Sequence, residues 1–374
     1  MIHIGIDFGN LNIKVTANQE RGPRAQFQYR AITGTPGQSA LRTGDTVRYE
    51  LLEPWHVNIG VTAEQESHMP QHVISAERYF APVFNGYGRE LSLYAQQLLL
   101  YGIGKALQLL HKEHDYDVSL AVAVAETHFS EALAAAFGKL IGEQTVMIED
   151  RVARKINISI VTVKSQMYCA MFSQYMGIDP DGVIYKKDSL WEQAPGGLAD
   201  LGSQQYQFAV FFPQRDASGR QQLVSRDHVC LDEGMLRLLD PLQARIRQQF
   251  PIYNSMTETE LLSVLETGWA FGVSFEEIRA QLLREKALQV LGLSRTKFAS
   301  GEKMRQLVLF GQGFTAALST AEKLDSIFLE GYNNAFKAGV KVKFAVDDFG
   351  QENSAFAVSD GFFKRAIIAH YQPK

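Results

Sequence analysis

Cysteine is nearly absent from this chain: only Cys169 and Cys230 occur among 374 residues, both inside apolar-rich stretches. They point to buried, reduced thiols and a reducing compartment, not to a disulfide framework or a metal site. An excess of positive charge is also missing. With 37 Lys and Arg against 41 Asp and Glu, the formal charge is −4, which leaves no polyanion-binding footprint and makes direct nucleic-acid binding unexpected. No uninterrupted apolar run approaches the roughly 18 residues of a membrane span, and the N-terminus lacks a charged region followed by an apolar one. A cytoplasmic chain with no membrane anchor is expected. The nine histidines show no paired metal-ligand spacing with cysteines or carboxylates.

What is present is an ordinary soluble balance, 46% hydrophobic and 21% charged, in a chain long enough for two cores. Ile2, Ile4 and Ile6, then Ile13, Val15 and Ala17, alternate with period two and predict a β-hairpin. Residues 21–89 carry scattered Gly and Pro with short strand signals and read as an inserted small β-rich lobe. Helical apolar spacing marks 92–111, 129–141 and 166–177, and strands are expected at 117–125, 145–148 and 157–163. Residues 179–196 read as a loop, after which a second strand–corner–strand opens at Gly197. Helical patterns follow at 233–250, 258–271 and 275–291, then a buried strand at 305–311, a helix to about 338, the strand "VKVKFA" and a last helix ending at Tyr371. Strands and helices alternate in both halves, so the fold class is α/β. Trp55, Trp191 and Trp269 are expected to be packing residues.

The opening phrase repeats. "IDFGNLNIKV", Ile6 to Val15, matches "ADLGSQQYQF", Ala199 to Phe208, as apolar, Asp, apolar, Gly, small polar, any, amide, apolar, polar, apolar. A tight corner with glycine lets backbone N–H groups converge on an anion, because no Cβ blocks the approach. Asp7 and Asp200 cannot face phosphate without repulsion, so their natural role there is to hold Mg²⁺ through water. Lys14, seven residues after Asp7, stands where it can reach a phosphate. The plainer alternative is that both are turn aspartates bonded to their own backbone.

This pattern resembles the superfamily of actin, sugar kinases and heat-shock-chaperone ATPases. "LVLFGQGFTAAL", Leu307 to Leu318, is similar to that family's adenosine motif, which implies nucleoside contacts at Gly311, Gln312, Gly313 and Phe314. "ENSAFAVSDGFFKRA", Glu352 to Ala366, is similar to the closing phrase of bacterial plasmid-segregating actins of the ParM type and of related archaeal actin-like proteins. The resemblance runs in order over nearly the whole chain. It implies a bilobed actin-like fold, with two related lobes around a nucleotide cleft. Lobe I would comprise 1–164 plus about 340–374, with its insertion at about 21–89; lobe II would comprise 165–339, with a helical insertion at about 233–300.

It also implies ATP/ADP and Mg²⁺ as cofactors, with Gly9, Asn10, Leu11, Asn12 and Lys14 at one phosphate corner and Gly202, Ser203 and Gln204 at the other. Gln166 falls where the family places the Gln or Glu that positions the attacking water; the alternative is a plain helix N-terminal residue. The chain departs from the family at Leu11, Gln204 and Gln205, where Ser, Thr or Gly is usual, and at Gln207, where many members carry a second Asp. The implied activity is slow Mg²⁺-dependent ATP hydrolysis coupled to a head-to-tail filament of self, in plasmid or DNA segregation or intracellular organisation, with a DNA-binding adaptor as a candidate partner. Two alternatives stay open: an actin-fold scaffold with little hydrolysis, and a small-molecule kinase of the same fold using Glu126 as base. Glu126 and His128 otherwise read as a solvated strand-end cluster.

Overall fold

A computed structural model describes residues 1–9, 12–19, 24–30, 93–112, 116–124, 131–148, 152–297, 304–318, 330, 340–352 and 354–371, with short strands at Arg42–Thr43, Thr46–Arg48, Gly60–Thr62, Phe84–Asn85 and Glu90–Leu91. Two compact units emerge, Met1–Tyr185 with Val358–Lys374, and Lys186–Ala357. Each is built on one mixed sheet.

The first sheet begins with β1 (Ile2–Phe8) and β2 (Asn12–Gln19), antiparallel, with Ile6 opposite Val15 and Asp7 opposite Lys14. All six alternating apolar residues of this hairpin are buried, the outcome that period-two patterning predicts. β3 (Arg24–Arg30) pairs antiparallel with β2 as the sheet's edge, although it lies in the stretch read from sequence as an insertion. Most of the remainder of 21–89 lies outside the described residues. α1 (Leu93–Leu109) buries Leu98, Leu99, Ile103, Ala106 and Leu107, and the Tyr29 hydroxyl donates to the Leu98 carbonyl at 2.6 Å.

β4 (Tyr116–Val124) lies parallel to β1, and its continuous run Val118–Val124 is wholly buried, as suits a central parallel strand. α2 (Glu131–Gly138) and β5 (Gly142–Met147) lead to β6 (Ala153–Ser165), which is parallel to β4. The strand order is β5-β6-β4-β1-β2-β3. β6 runs directly into α3 (Gln166–Tyr175), followed by a short pair, β7 (Met176–Ile178) and β8 (Ile184–Lys186).

The stretch expected to be a loop, 179–196, therefore holds β8 and also α4 (Leu190–Gln193), whose Trp191 is fully buried. The second sheet follows with β9 (Gly196–Leu201), β10 (Tyr206–Arg215) and β11 (Gln221–Leu231), successive antiparallel partners. β11 was not expected; its "QQLVSRDHVCL" lacks clean alternation because most of its side chains are exposed or half-buried at the sheet edge. Cys230 on this strand is accordingly half-buried, whereas Cys169 is buried as expected.

Three helices follow, α5 (Leu239–Gln249), α6 (Glu258–Thr267) and α7 (Glu276–Lys297). α6 is delimited by a capping box between Thr257 and Glu260 and by Gly268 at φ 80°. β12 (Gln306–Phe310) is parallel to β9, and after α8 (Gln312–Leu318) β13 (Lys341–Phe344) is parallel to β12. α9 (Ala357–Tyr371) returns the chain to the first unit.

The sequence repeat is also a topological one. Along β3-β2-β1-β4-β6 and along β11-β10-β9-β12-β13, three antiparallel strands are followed by two parallel ones, and the Asp-x-Gly corner joins the same two strands in each. Each unit has its own core, with Phe208 fully buried in the second. Phe208→Ala should therefore cost about 3–5 kcal/mol, read as a lower urea midpoint. A change below about 1 kcal/mol would mean that the site collapses around the truncation.

Candidate functional site

The first corner is built around a buried charge. Asp7, on the last rung but one of the hairpin, is only 3% exposed, and a carboxylate so placed needs partners. Across the rung, Lys14 Nζ lies 3.3 Å from its Oδ2, and Gln166 Nε2 donates to Oδ1 at 2.8 Å. Gln166 is the first residue of α3, whose N-cap Ser165 accepts from the Tyr168 N–H. Gly9 is required by close approach: a Cβ there would strike the Asn12 carbonyl oxygen. Asn12 is buried, while Asn10 and Leu11 lie outside the described residues, as do Glu126 and His128.

In the second corner Asp200 stands opposite Gln207, just as Asp7 stands opposite Lys14. The turn closes with the Gly202 N–H donating to the Gln205 carbonyl at 2.9 Å. Its other carbonyls are taken too: the N–H groups of Gly234, Met235 and Leu236 donate to Gln204, Gly202 and Ser203 at 2.9, 3.0 and 2.7 Å. Next to these donors, the Glu233 carboxylate accepts from Lys286 Nζ at 2.9 Å and Gln289 Nε2 at 2.7 Å. The Lys286 hydrogen bond is the main reason the Glu233 carboxyl is held below its ordinary range.

The third motif abuts the second. Gly311 has φ 98°, and a Cβ there would overlap Asp200 Oδ1; a Cβ on Gly313 would overlap the Leu201 side chain. The Gly311 N–H donates to the Ser354 carbonyl at 3.0 Å, and Gln312 Nε2 donates to Glu266 Oε1 at 2.6 Å. Phe314 points into the core, fully buried and edge-on to Phe344 with ring centroids 6.4 Å apart. Arg279, 1% exposed, donates to the carbonyls of Leu265, Glu266 and Ala316, tying α6, α7 and α8 together beneath the corner.

The structure thus gathers Asp7, Lys14 and Gln166 in the first unit, and Asp200, Gly202, Ser203, Gln204, Gly311, Gln312 and Gly313 in the second. Sequence reasoning missed Glu233, Glu266, Arg279 and Lys286. A signal existed for two of them: Arg279 and Lys286 sit seven apart on a helix face shared with the buried Ile278, Leu282 and Leu283. Among the described residues, no group of three or more His, Cys, Asp or Glu side chains could hold a metal ion by itself.

The fold these elements define is that of the actin-like ATPases. No family model matches the sequence, and no curated protein matches it. Among solved structures, an archaeal actin homolog, Ta0583, superposes with TM-score 0.62 at 15% identity, covering 99% of this chain and 100% of that one. Bacillus thuringiensis ParM, solved with ATP, gives 0.62 at 14%, covering all of both chains. A 15-stranded ParM filament from Clostridium botulinum gives 0.58 at 14%, covering 98% of this chain and 99% of its own. At such identities the likeness is one of fold. No helix among the described residues is long and apolar enough to cross a membrane.

Glu233 yields a pH-dependent prediction. Because its folded-state value lies below the unfolded one, its stabilisation is present above the usual carboxylate range and is lost as pH falls through the folded value. The urea midpoints of wild type and Glu233→Gln should differ at pH 7 and converge as pH is taken below the ordinary carboxylate range. A constant gap would show that the ion pair with Lys286 is not its source.

Proposed function

We propose that this chain is a nucleotide-dependent, filament-forming actin-like protein that binds ATP with Mg²⁺ and hydrolyses it slowly. One observation carries the reading: two buried carboxylates in equivalent registers, Asp7 opposite Lys14 and Asp200 opposite Gln207, each followed two residues on by a corner glycine. The donor set suits a hydrated Mg²⁺: Asp7 and Asp200, single buried carboxylates beside glycine corners, would hold it through water. When bound, Mg²⁺ and ATP supply a γ-phosphoryl group whose charge is already partly neutralised.

The rest belongs to the chain. Lys14 compensates phosphate charge, the backbone of Gly9, Asn10, Leu11 and Asn12 and of Gly202, Ser203 and Gln204 lines the phosphates, and Gly311, Gln312 and Gly313 face the nucleoside with Phe314 supporting them from the core. Gln166 orients the attacking water. Its amide nitrogen is fixed by Asp7, which sets the direction of its carbonyl oxygen. A neutral amide orients water without abstracting its proton, and a loose phosphoryl-transfer transition state asks no more.

Support comes from the ATP and AMPPNP complexes of Bacillus thuringiensis ParM and the filament of Clostridium botulinum ParM. The partner in this reading is a second copy joined head to tail, with a DNA-binding adaptor beyond it, in cytoplasmic plasmid or DNA segregation or intracellular organisation. The lobes of this reading are taken as the two compact units, 1–185 with 358–374 and 186–357, in place of 1–164 with about 340–374 and 165–339, because α3 bonds to Asp7 and Asp360 and β13 pairs with β12. A nucleotide-binding scaffold with little turnover is the second reading, favoured by the bulky Gln204 and Gln205 at the second corner.

Three measurements test these statements. ATP with Mg²⁺ should move the protein into the pellet at micromolar concentration; a supernatant that stays full while ATP raises the melting temperature would leave the scaffold. Asp200→Ala should keep the fold and abolish Mg²⁺-dependent phosphate release, and equal release by mutant and wild type would sink the metal assignment. Gln166→Ala should cut kcat by roughly 10- to 1000-fold with ATP affinity nearly unchanged, the range for one water-orienting group. Loss of ATP binding instead would make Gln166 structural.

A further inference from the structure

We infer that the C-terminal helix α9 is the positioning element of the first corner, with Asp360 and Gly361 as positioning residues that fix where Asp7, Lys14 and Gln166 stand relative to one another. The functional meaning rests on the proposed roles of those three residues; the mechanical claim does not.

α9 meets the element carrying each of them at a point that shares its face. On β1, a Cβ on Gly5 would overlap the Phe363 nitrogen and the Ser359 carbonyl oxygen; Gly5 precedes Asp7 by two residues, hence on the same side of the strand. On β2, the hydroxyls of Thr16 and Ser359 are hydrogen-bonded at 3.0 Å, and Thr16 follows Lys14 by two. On α3, a Cβ on Gly361 would overlap the Cys169 carbonyl oxygen, and Ser173 Oγ donates to Asp360 Oδ2 at 2.8 Å. Gln166, Cys169 and Ser173 are spaced i, i+3, i+7, one face of that helix.

Two features make the arrangement stiff. The Gly5 and Gly361 contacts are backbone against backbone, with no side chain to give way. The polar part is a buried charge network: Asp360 and Lys364 have fully buried side chains 2.8 Å apart, Lys364 Nζ also donates to the Met176 carbonyl at 2.9 Å, and Arg24 pairs with Asp360 while its guanidinium lies 5.4 Å from the Phe363 ring centroid. Displacing any member leaves an uncompensated buried charge, so the network favours a single placement. A slide of α3 that drew Gln166 away from Asp7 would have to break it.

The test reads the Gln166 side-chain NH₂ in ¹H–¹⁵N spectra, assigned by its loss in Gln166→Ala. Ser173→Ala removes one link gently, Gly361→Ala forces the helices apart, and Phe137→Leu, in the core of α2, serves as a control for simple destabilisation. The inference expects the Gln166 resonance to shift and exchange faster in Ser173→Ala, and in Gly361→Ala if it folds, but not in Phe137→Leu. With ATP, kcat should fall about 3- to 10-fold in Ser173→Ala with KM within about twofold, because sub-ångström misplacement of an orienting group costs rate before binding. Adding Ser173→Ala to Gln166→Ala should cost nothing further, as expected of residues acting through one group. A Gln166 resonance unmoved in Ser173→Ala, or moved equally in Phe137→Leu, overturns the inference. A wild type that never hydrolyses ATP would instead overturn the proposed function, and the resonance would still decide the positioning claim.

Discussion

A carboxylate buried at the tip of a β-hairpin cannot stay charged without partners, and much of the first unit answers that demand. Asp7 is satisfied from two directions, by Lys14 on the neighbouring strand and by Gln166 from the start of a helix 159 residues away in sequence. The second contact is possible only because β6 ends where α3 begins, with Ser165 capping the helix so that its first side chain faces the end of β1. Unsatisfied, such a group would cost several kcal/mol, a large fraction of ordinary domain stability.

The two corners share a register and differ in what surrounds the carboxylate. In the first, the residue across the rung is a lysine; in the second it is the neutral Gln207, and the third motif presses Gly311 directly against Asp200. The second corner also has its turn carbonyls held by the amides of Gly234 to Leu236, backed by the Glu233–Lys286 pair. In the proposed reading, the first unit contributes positive charge and an orienting amide, and the second contributes a carboxylate against a glycine corner.

Much of this was legible in the residues. The hairpins show as period-two runs, the corners as Asp and Gly between them, and the central strands as unbroken apolar stretches such as "LAVAV". What stayed hidden has identifiable causes. β11 carries an edge strand's mixed polarity, so alternation gives no signal there. Gly361 lies inside a helix, where glycine reads as a defect until the Cys169 carbonyl is seen against it. Asp360 and Lys364 look like an exposed i, i+4 pair, yet both are fully buried. The Gln166 contact with Asp7 is a long-range event that no local spacing encodes; only the family resemblance singled out Gln166.

The central claim is that both corner carboxylates serve the binding of one Mg²⁺–ATP. Calorimetric titration of Mg²⁺–ATP into wild type, Asp7→Asn and Asp200→Asn tests it directly. The account predicts one ATP per chain and affinity lowered by about tenfold or more in each variant, the loss expected from one charge-assisted contact. Unchanged ATP affinity in either variant, or two ATP molecules per chain, would contradict it.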